Sequence, residues 1–325
     1  MADAEAFAFE VDWYDKQADL VRRYQLTVFR LPRGPLEAAM FDPKTKRSFL
    51  KRMPMPELRM EDLYLGGTVT LHGRQLKIRG YLDEHTKRAM ELGRESLIFL
   101  TAPNAFYELG KILACLEGLG LTISRLRLVN ENGPVVAIQA AGGDADIQWE
   151  TARNSIPEGR LRQVSEHEGE VYFKDKNLFP CTAAFDHCTL CVIRPHAVKA
   201  RNAGAIIQEI MEAGFEVSAA RTVHLDRAQA TEFLEVYQNV MPNFSDLVAC
   251  MSEAPCLALE LRKDGDVVEE FRSLCGPYDL DMARHLRSSS LRARYGMDNA
   301  RNGVHSTDLE EDAEREVRYL FEVLA

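Results

Sequence analysis

Gly204-Ala-Ile-Ile-Gln-Glu-Ile-Met-Glu-Ala-Gly214 is the stretch from which the fold is read. It reads as a helix closed by glycine, the residue that most readily accepts a left-handed cap. A second stretch, Gly110-Lys-Ile-Leu-Ala-Cys-Leu-Glu-Gly-Leu-Gly120, has the same length and the same closing glycine. Upstream of each lies an apolar strand soon followed by proline: Ser96-Leu-Ile-Phe-Leu before Pro103, and Thr189-Leu-Cys-Val-Ile before Pro195. Downstream, each helix leads into a strand, Leu121-Thr-Ile-Ser and Phe215-Glu-Val-Ser. Later, Gly133-Pro-Val-Val-Ala-Ile parallels Ala254-Pro-Cys-Leu-Ala-Leu. An internal duplication is the economical explanation.

The copies are unequal. From Gly120 to Pro134 is 14 residues, whereas from Gly214 to Pro255 is 41. The first copy therefore lacks about two helices. It also lacks the element Asn302-Gly-Val-His305-Ser-Thr-Asp308, which closes the second copy and is followed by Glu316 on a predicted helix. That element places one imidazole on a tight turn, beside hydroxyl and carboxylate groups able to fix its tautomer. In the first copy His167 stands alone in Ser-Glu-His-Glu-Gly, which reads as a solvated turn.

Residues 7 to 82 are β-rich. Phe7-Ala-Phe-Glu-Val, Tyr24-Gln-Leu-Thr-Val-Phe, Leu36-Glu-Ala-Ala-Met-Phe, Thr68-Val-Thr-Leu and Leu76-Lys-Ile-Arg-Gly-Tyr are short runs set apart by turns such as Pro32-Arg-Gly-Pro and Asp42-Pro-Lys. Short strands packed this closely predict a small barrel or sandwich. Asp83 to Arg94 is charged and helix-permissive and reads as a linker.

The 325 residues are 46% hydrophobic and 28% charged, the balance of a globular chain of two or three domains. A net charge of -10 argues against a nucleic-acid partner. No run of eighteen apolar residues predicts a membrane span. The acidic N-terminus has no apolar signal core, which argues against secretion. Seven cysteines fit free thiols in a reducing cytoplasm. Cys188 and Cys191 form a CxxC pair, but strand alternation points them to opposite faces, which favours buried thiols over a metal site. Basic residues gather at Lys44, Lys46, Arg47, Lys51 and Arg52, and again at Arg284, Arg287, Arg292, Arg294 and Arg301.

The order strand, Pro, Gly-capped helix, Gly/Ala-Pro strand and Asn-x-x-His-Ser-Thr-Asp resembles the nucleoside diphosphate kinase family. Residues 183–325 match its whole length, and 93–175 look like a truncated, degenerate relative. Residues 1–92, with Trp13-Tyr14, Arg22-Arg23-Tyr24, Phe49-Leu50-Lys51-Arg52 and Glu61-Asp62-Leu63, resemble the DM-ten domain of ciliary proteins. The resemblance implies an α+β chain: a pleckstrin-homology-like β domain followed by two ferredoxin-like units, the first truncated. It also implies a role inside axonemal doublet microtubules of cilia and flagella, bound to tubulin and neighbouring inner proteins of that cytoskeleton. The alternative it implies is γ-phosphate transfer between nucleotides through a phosphohistidine at His305, with Mg2+ accompanying the nucleotide.

Carried over residue by residue, Glu316 takes the place of the carboxylate that orients the histidine. Arg272 and Arg292 match phosphate-binding arginines, whose planar forks suit two-oxygen contacts. Asn302 matches the residue that contacts the sugar, and Phe244 and Leu247 match the nucleotide-binding segment. The departures point to weak or lost activity. Arg194 replaces the lysine before proline, Asn243 replaces a base-stacking Phe, and Tyr278 replaces a small hydroxyl residue near the phosphates. Ser306 replaces the glycine after the histidine, and the segment from Tyr237 to Pro242 is short. In the first copy Ala102 holds the lysine position, and no acceptor histidine is present.

Overall fold

The computed structural model describes residues 5–15, 18–31, 34–92, 95–142 and 145–325, and it divides into two compact units at 94/95. Pro32 and Arg33 of the expected turn lie outside the described residues. The first unit is a six-stranded antiparallel sheet. Its strands are β1 (Glu5–Asp15), β2 (Leu20–Arg30), β3 (Glu37–Asp42), β4 (Arg47–Pro54), β5 (Thr68–Leu71) and β6 (Arg74–Tyr81), in the order β4-β3-β2-β1-β6-β5. Phe7, Phe9 and Val11 alternate into the core with Tyr24, Leu26 and Val28, the period of two expected of a one-sided sheet.

The segment read as a linker is not one. Glu84–Leu92 forms α1, with Thr86 fully buried and accepting the Ala8 amide at 2.8 Å. Ala89 and Met90 pack on the same core, so burial of this helix completes the first unit. β4 is a strand that the sequence pattern does not mark. It lies at the sheet edge, and its mostly exposed residues carry no hydrophobic alternation to reveal it.

The second unit joins both copies in one eight-stranded sheet. The first copy supplies β7 (Glu95–Thr101), α2 (Leu109–Gly118), β8 (Thr122–Asn130), β9 (Pro134–Gly142), α3 (Ala145–Arg153), β10 (Leu161–Val164) and α4 (Glu166–Lys174). The second supplies β11 (Cys188–Ile193), α5 (Pro195–Lys199), α6 (Ala203–Glu212), β12 (Glu216–Val223), α7 (Arg227–Phe233) and α8 (Phe244–Met251). It continues through β13 (Cys256–Arg262), α9 (Val267–Cys275), α10 (Leu280–Leu286), α11 (Leu291–Tyr295), β14 (Val304–Ser306) and α12 (Glu310–Arg318). Sheet order is β10-β7-β9-β8-β12-β13-β11-β14. Each half is thus a βαββαβ unit of ferredoxin-like order, and the two are joined edge to edge at β8 and β12.

The junction is pseudo-symmetric. Arg127 lies opposite Arg221 in the ladder. A Cβ on Gly110 would stand 2.4 Å from the Gln208 amide nitrogen, and one on Gly204 would stand 2.1 Å from that of Ala114. The differences 204 − 110, 208 − 114 and 221 − 127 are all 94, so one rotation relates all three pairs. Only glycine permits α2 and α6 to approach so closely. Cys191 faces their side of the sheet and Cys188 the other, as strand alternation requires.

One row of directly opposed residues crosses all eight strands: Arg162, Leu100, Ala137, Arg127, Arg221, Ala258, Val192, His305. Arg162 therefore occupies in the first half the place of His305 in the second. It is paired with Glu168 at 2.8 Å. His167 lies not in a turn but in the first turn of α4, where Ser165 accepts the Glu168 amide and thereby nucleates the helix. The length difference between the copies falls between β8 and β9, a tight hairpin, and between β12 and β13, where α7 and α8 are inserted.

Candidate functional site

Short strand β14 carries the Asn302–Asp308 element along the edge of β11. Gly303 adopts φ 88, and its amide donates to His196 Nε2 at 3.1 Å. Burial first, and then the charge of Arg194, hold the His196 pKa down at about 3, so this imidazole is neutral and fit to accept. Sequence reasoning missed His196, because nothing in Arg194-Pro195-His196 distinguishes it from a packing residue.

The next residue but one is His305, only 3% exposed. Its Nε2 lies 3.1 Å from Glu316 Oε2, the same oxygen that accepts the Thr307 hydroxyl at 2.8 Å. Thr307 in turn accepts the Leu190 amide of β11 at 3.2 Å. The imidazole is thus fixed through Nε2 to α12, and Nδ1 is the nitrogen that the carboxylate does not engage. The rings of Phe233 and Tyr237 meet it edge-on, at centroid distances of 5.0 and 6.4 Å. Both come from the α7–α8 insertion, so the half with the histidine is also the half with its cover.

Cations stand around this group. Arg292, on α11, donates to Ser306 Oγ at 3.2 Å and to the Gly276 carbonyl at 2.7 Å. Arg194 caps α5 and donates to the Ala300 carbonyl; burial, with a contribution from the charge of Arg292, pulls its pKa below the ordinary arginine range. Arg272 is exposed and reaches Asp308 at 3.6 Å, and Asp308 also accepts the Tyr237 hydroxyl at 2.6 Å. Leu247 is buried and Phe244 half-buried on α8, both in the apolar core beneath this face.

Several buried polar atoms here have no partner among the described residues: Arg194 Nε, Arg292 Nε, Ser290 Oγ, and both amide atoms of fully buried Asn302. Each such group costs about 1–3 kcal/mol unless something satisfies it. The set contains donors suited to phosphate oxygens and an amide suited to a sugar hydroxyl, so it fits a nucleotide. Among the described residues there is no group of three His, Cys, Asp or Glu able to hold a metal ion. An Mg2+ would arrive on the nucleotide's own phosphates and neutralise their charge. Against these stands one contact. Asn243 Nδ2 donates to Tyr278 Oη at 3.2 Å, tying two half-buried side chains to each other.

A ferredoxin-like half with a carboxylate-held histidine on its last strand belongs to a recognisable class. The family model for nucleoside diphosphate kinase matches residues 187–324. The chain belongs to the nucleoside diphosphate kinase family. It is similar to nucleoside diphosphate kinase homolog 7 of Rattus norvegicus, with 34% identity over 99% of this chain and 94% of that protein. The nucleoside diphosphate kinase of Pasteurella multocida is 38% identical over 41% of this chain and 92% of its own length. The crystal structure of the Aquifex aeolicus nucleoside diphosphate kinase is 30% identical over 41% of this chain and 93% of that one, with a TM-score of 0.39.

Proposed function

We propose that this chain is chiefly a structural protein of ciliary and flagellar doublet microtubules, held in the lumen against tubulin and neighbouring inner proteins. Residues 1–92 act as its DM-ten domain, 93–175 as a degenerate kinase-type domain, and 183–325 as a kinase-type domain of low turnover. The observation that carries the reading is the Asn243–Tyr278 hydrogen bond. It links the residues at the family's base and phosphate positions, so a nucleotide must break it to enter. The other half offers no nucleophile, since Arg162 stands at the histidine's position. What remains for the chain to use is surface. β4 is exposed, and its Arg47 and Lys51 suit an acidic lattice, while Arg52 is already paired with Glu37. Salt washing of axonemes tests this: the protein should stay with the doublets, and release alongside soluble matrix proteins would overturn the role.

One observation favours a second reading, phosphoryl transfer. The His305–Glu316–Thr307 arrangement is complete, and the unpartnered donors surround it. In that reading Nδ1 attacks the γ-phosphorus in line, a nitrogen–phosphorus bond forms, and the bridging β–γ oxygen leaves with the nucleoside diphosphate. A second diphosphate then takes the phosphoryl group, and the imidazole is restored. Glu316 holds the Nε2 proton throughout, while Arg194, Arg272 and Arg292 supply positive charge. Acid-labile label from ATP and magnesium, lost in His305→Ala, is the expected sign; absence of label from the unmodified chain refutes turnover.

A further inference from the structure

The centre of the long row holds a feature that the kinase reading does not use. Arg127 and Arg221 face each other across the β8–β12 junction, and opposed like charges destabilise a sheet. Arg125, two residues before Arg127, shares their face by strand alternation. Together with Lys176 they line a cavity of about 370 Å³ on the face opposite α2 and α6. The cavity lies between Phe173, from the end of α4, and Phe321, from the π-helical turn after α12. Among the described residues no aspartate or glutamate side chain lines it.

Among the described residues the two central guanidiniums are held by carbonyls and not by carboxylates. Arg127 donates to Tyr172 O and Phe173 O, at 3.0 and 3.2 Å, and to Phe179 O. Arg221 donates to Leu320 O and Leu324 O at 3.3 and 3.4 Å. These contacts aim the forks without neutralising them. Asp175 lies near enough to Arg127 to offset part of its charge, and Arg125 is paired with Glu170. Burial and the facing Arg127 charge pull the Arg221 pKa below its ordinary range. A further sign is Thr182, a lining residue whose hydroxyl is buried and has no partner.

We infer that this cavity is a binding site for a small organic phosphate, distinct from the site at His305. Guanidinium forks take phosphate oxygens in pairs, and the Thr182 hydroxyl supplies a further polar contact. The aromatic walls take the organic part, and the volume lies within the ordinary range for small-ligand sites. The site spans the junction, since Arg127 and Arg221 come from different halves.

Calorimetric titration of the full chain with pyrophosphate and with AMP tests the assignment. The expected result is one binding event that weakens by about tenfold or more in Arg221→Gln, the loss of a charge-assisted contact. Lys176 is exposed, so Lys176→Gln leaves the fold unaffected and should weaken binding by about threefold or more even if Arg221→Gln fails to fold. Arg272→Gln, at the other site, should leave the event intact. Binding lost in Arg272→Gln but kept in Lys176→Gln would assign the ligand to the histidine site and overturn the inference. Absence of binding by either probe overturns it too, as does capture of an acidic peptide with no affinity for phosphate.

Discussion

Glu117 gives the sharpest test of how the halves are joined. It lies on α2 yet is 4% exposed, accepting the Gly204 amide at 2.8 Å and the Ala203 amide at 3.2 Å. It thus caps α6 from the opposite half, where Asn202 provides no side-chain cap of its own. Burial dominates over these two bonds and raises its pKa from 4.5 to about 7. Because the folded value exceeds the unfolded one, the folded chain holds a proton between pH 4.5 and 7 that the unfolded chain has released. The stabilisation is full below about pH 4.5 and is lost as pH rises through about 7. At about 1.4 kcal/mol per pKa unit, the loss is about 3 kcal/mol. Glu117→Gln removes the titration and keeps one acceptor oxygen, giving up one hydrogen bond worth about 1 kcal/mol. The variant should therefore be about 2 kcal/mol more stable than the parent at pH 8.5, and no more stable at pH 4.5. Urea unfolding reads this cleanly in a Trp13→Phe background, because Trp149, 6% exposed on α3, is then the sole tryptophan. Subtracting the variant's pH profile cancels every other group. A difference that stays flat within about 0.5 kcal/mol from pH 5 to 8.5 would refute the account of Glu117 as a buried cross-half cap.

Gly204→Ala should destabilise the second unit by about 3 kcal/mol or more, since its Cβ would meet Ala114 backbone at 2.1 Å; a urea midpoint close to the parent's would count against the close crossing. The double change Asn243→Phe with Tyr278→Thr removes the contact across the nucleotide position and restores a stacking face worth about 1–3 kcal/mol. Affinity for a fluorescent ATP analogue should rise about tenfold or more, and an unchanged Kd would show that the bond does not gate entry. On that double background Glu316→Gln should slow phosphohistidine formation about tenfold or more, read from the rate of labelling by ATP, because the bond to His305 Nε2 loses its charge.

Much of the fold was legible because its signals are local. The repeated Gly-capped helices and the apolar strands ending in proline mark both halves, and strand alternation separates Cys188 from Cys191. What was not legible depends on partners far away in sequence. Nothing near Arg127 or Arg221 signals that they oppose each other across a seam. α1 read as a linker because its charges are local and the core it covers is not. At the site, Asn302 to Asp308 and Glu316 are visible as residue types in a pattern, and their contacts follow from β14 lying beside β11. His196 and the Asn243–Tyr278 bond were hidden, since each depends on a loop closing against a helix distant in sequence.

The row from Arg162 to His305 ties these features together. Its two ends are equivalent positions in the pseudo-symmetric sheet, one holding an imidazole bound to Glu316 and the other an arginine bound to Glu168. The first half has no counterpart of α7 and α8 between β8 and β9, the insertion that supplies Phe233 and Tyr237 in the second. The seam between halves is not fully symmetric either. Glu117 caps the helix opposite, but 117 + 94 is Met211, which cannot return the contact. Identical subunits change both sides of their interface together, whereas fusion lets each side change alone. A carboxylate on one side only is an arrangement that a fused pair can refine without duplicating it, whereas Arg127 and Arg221 are an equivalent pair that identical halves would also present. The first half carries Arg162 where the second carries His305, and its α2 and β8 form the junction with α6 and β12.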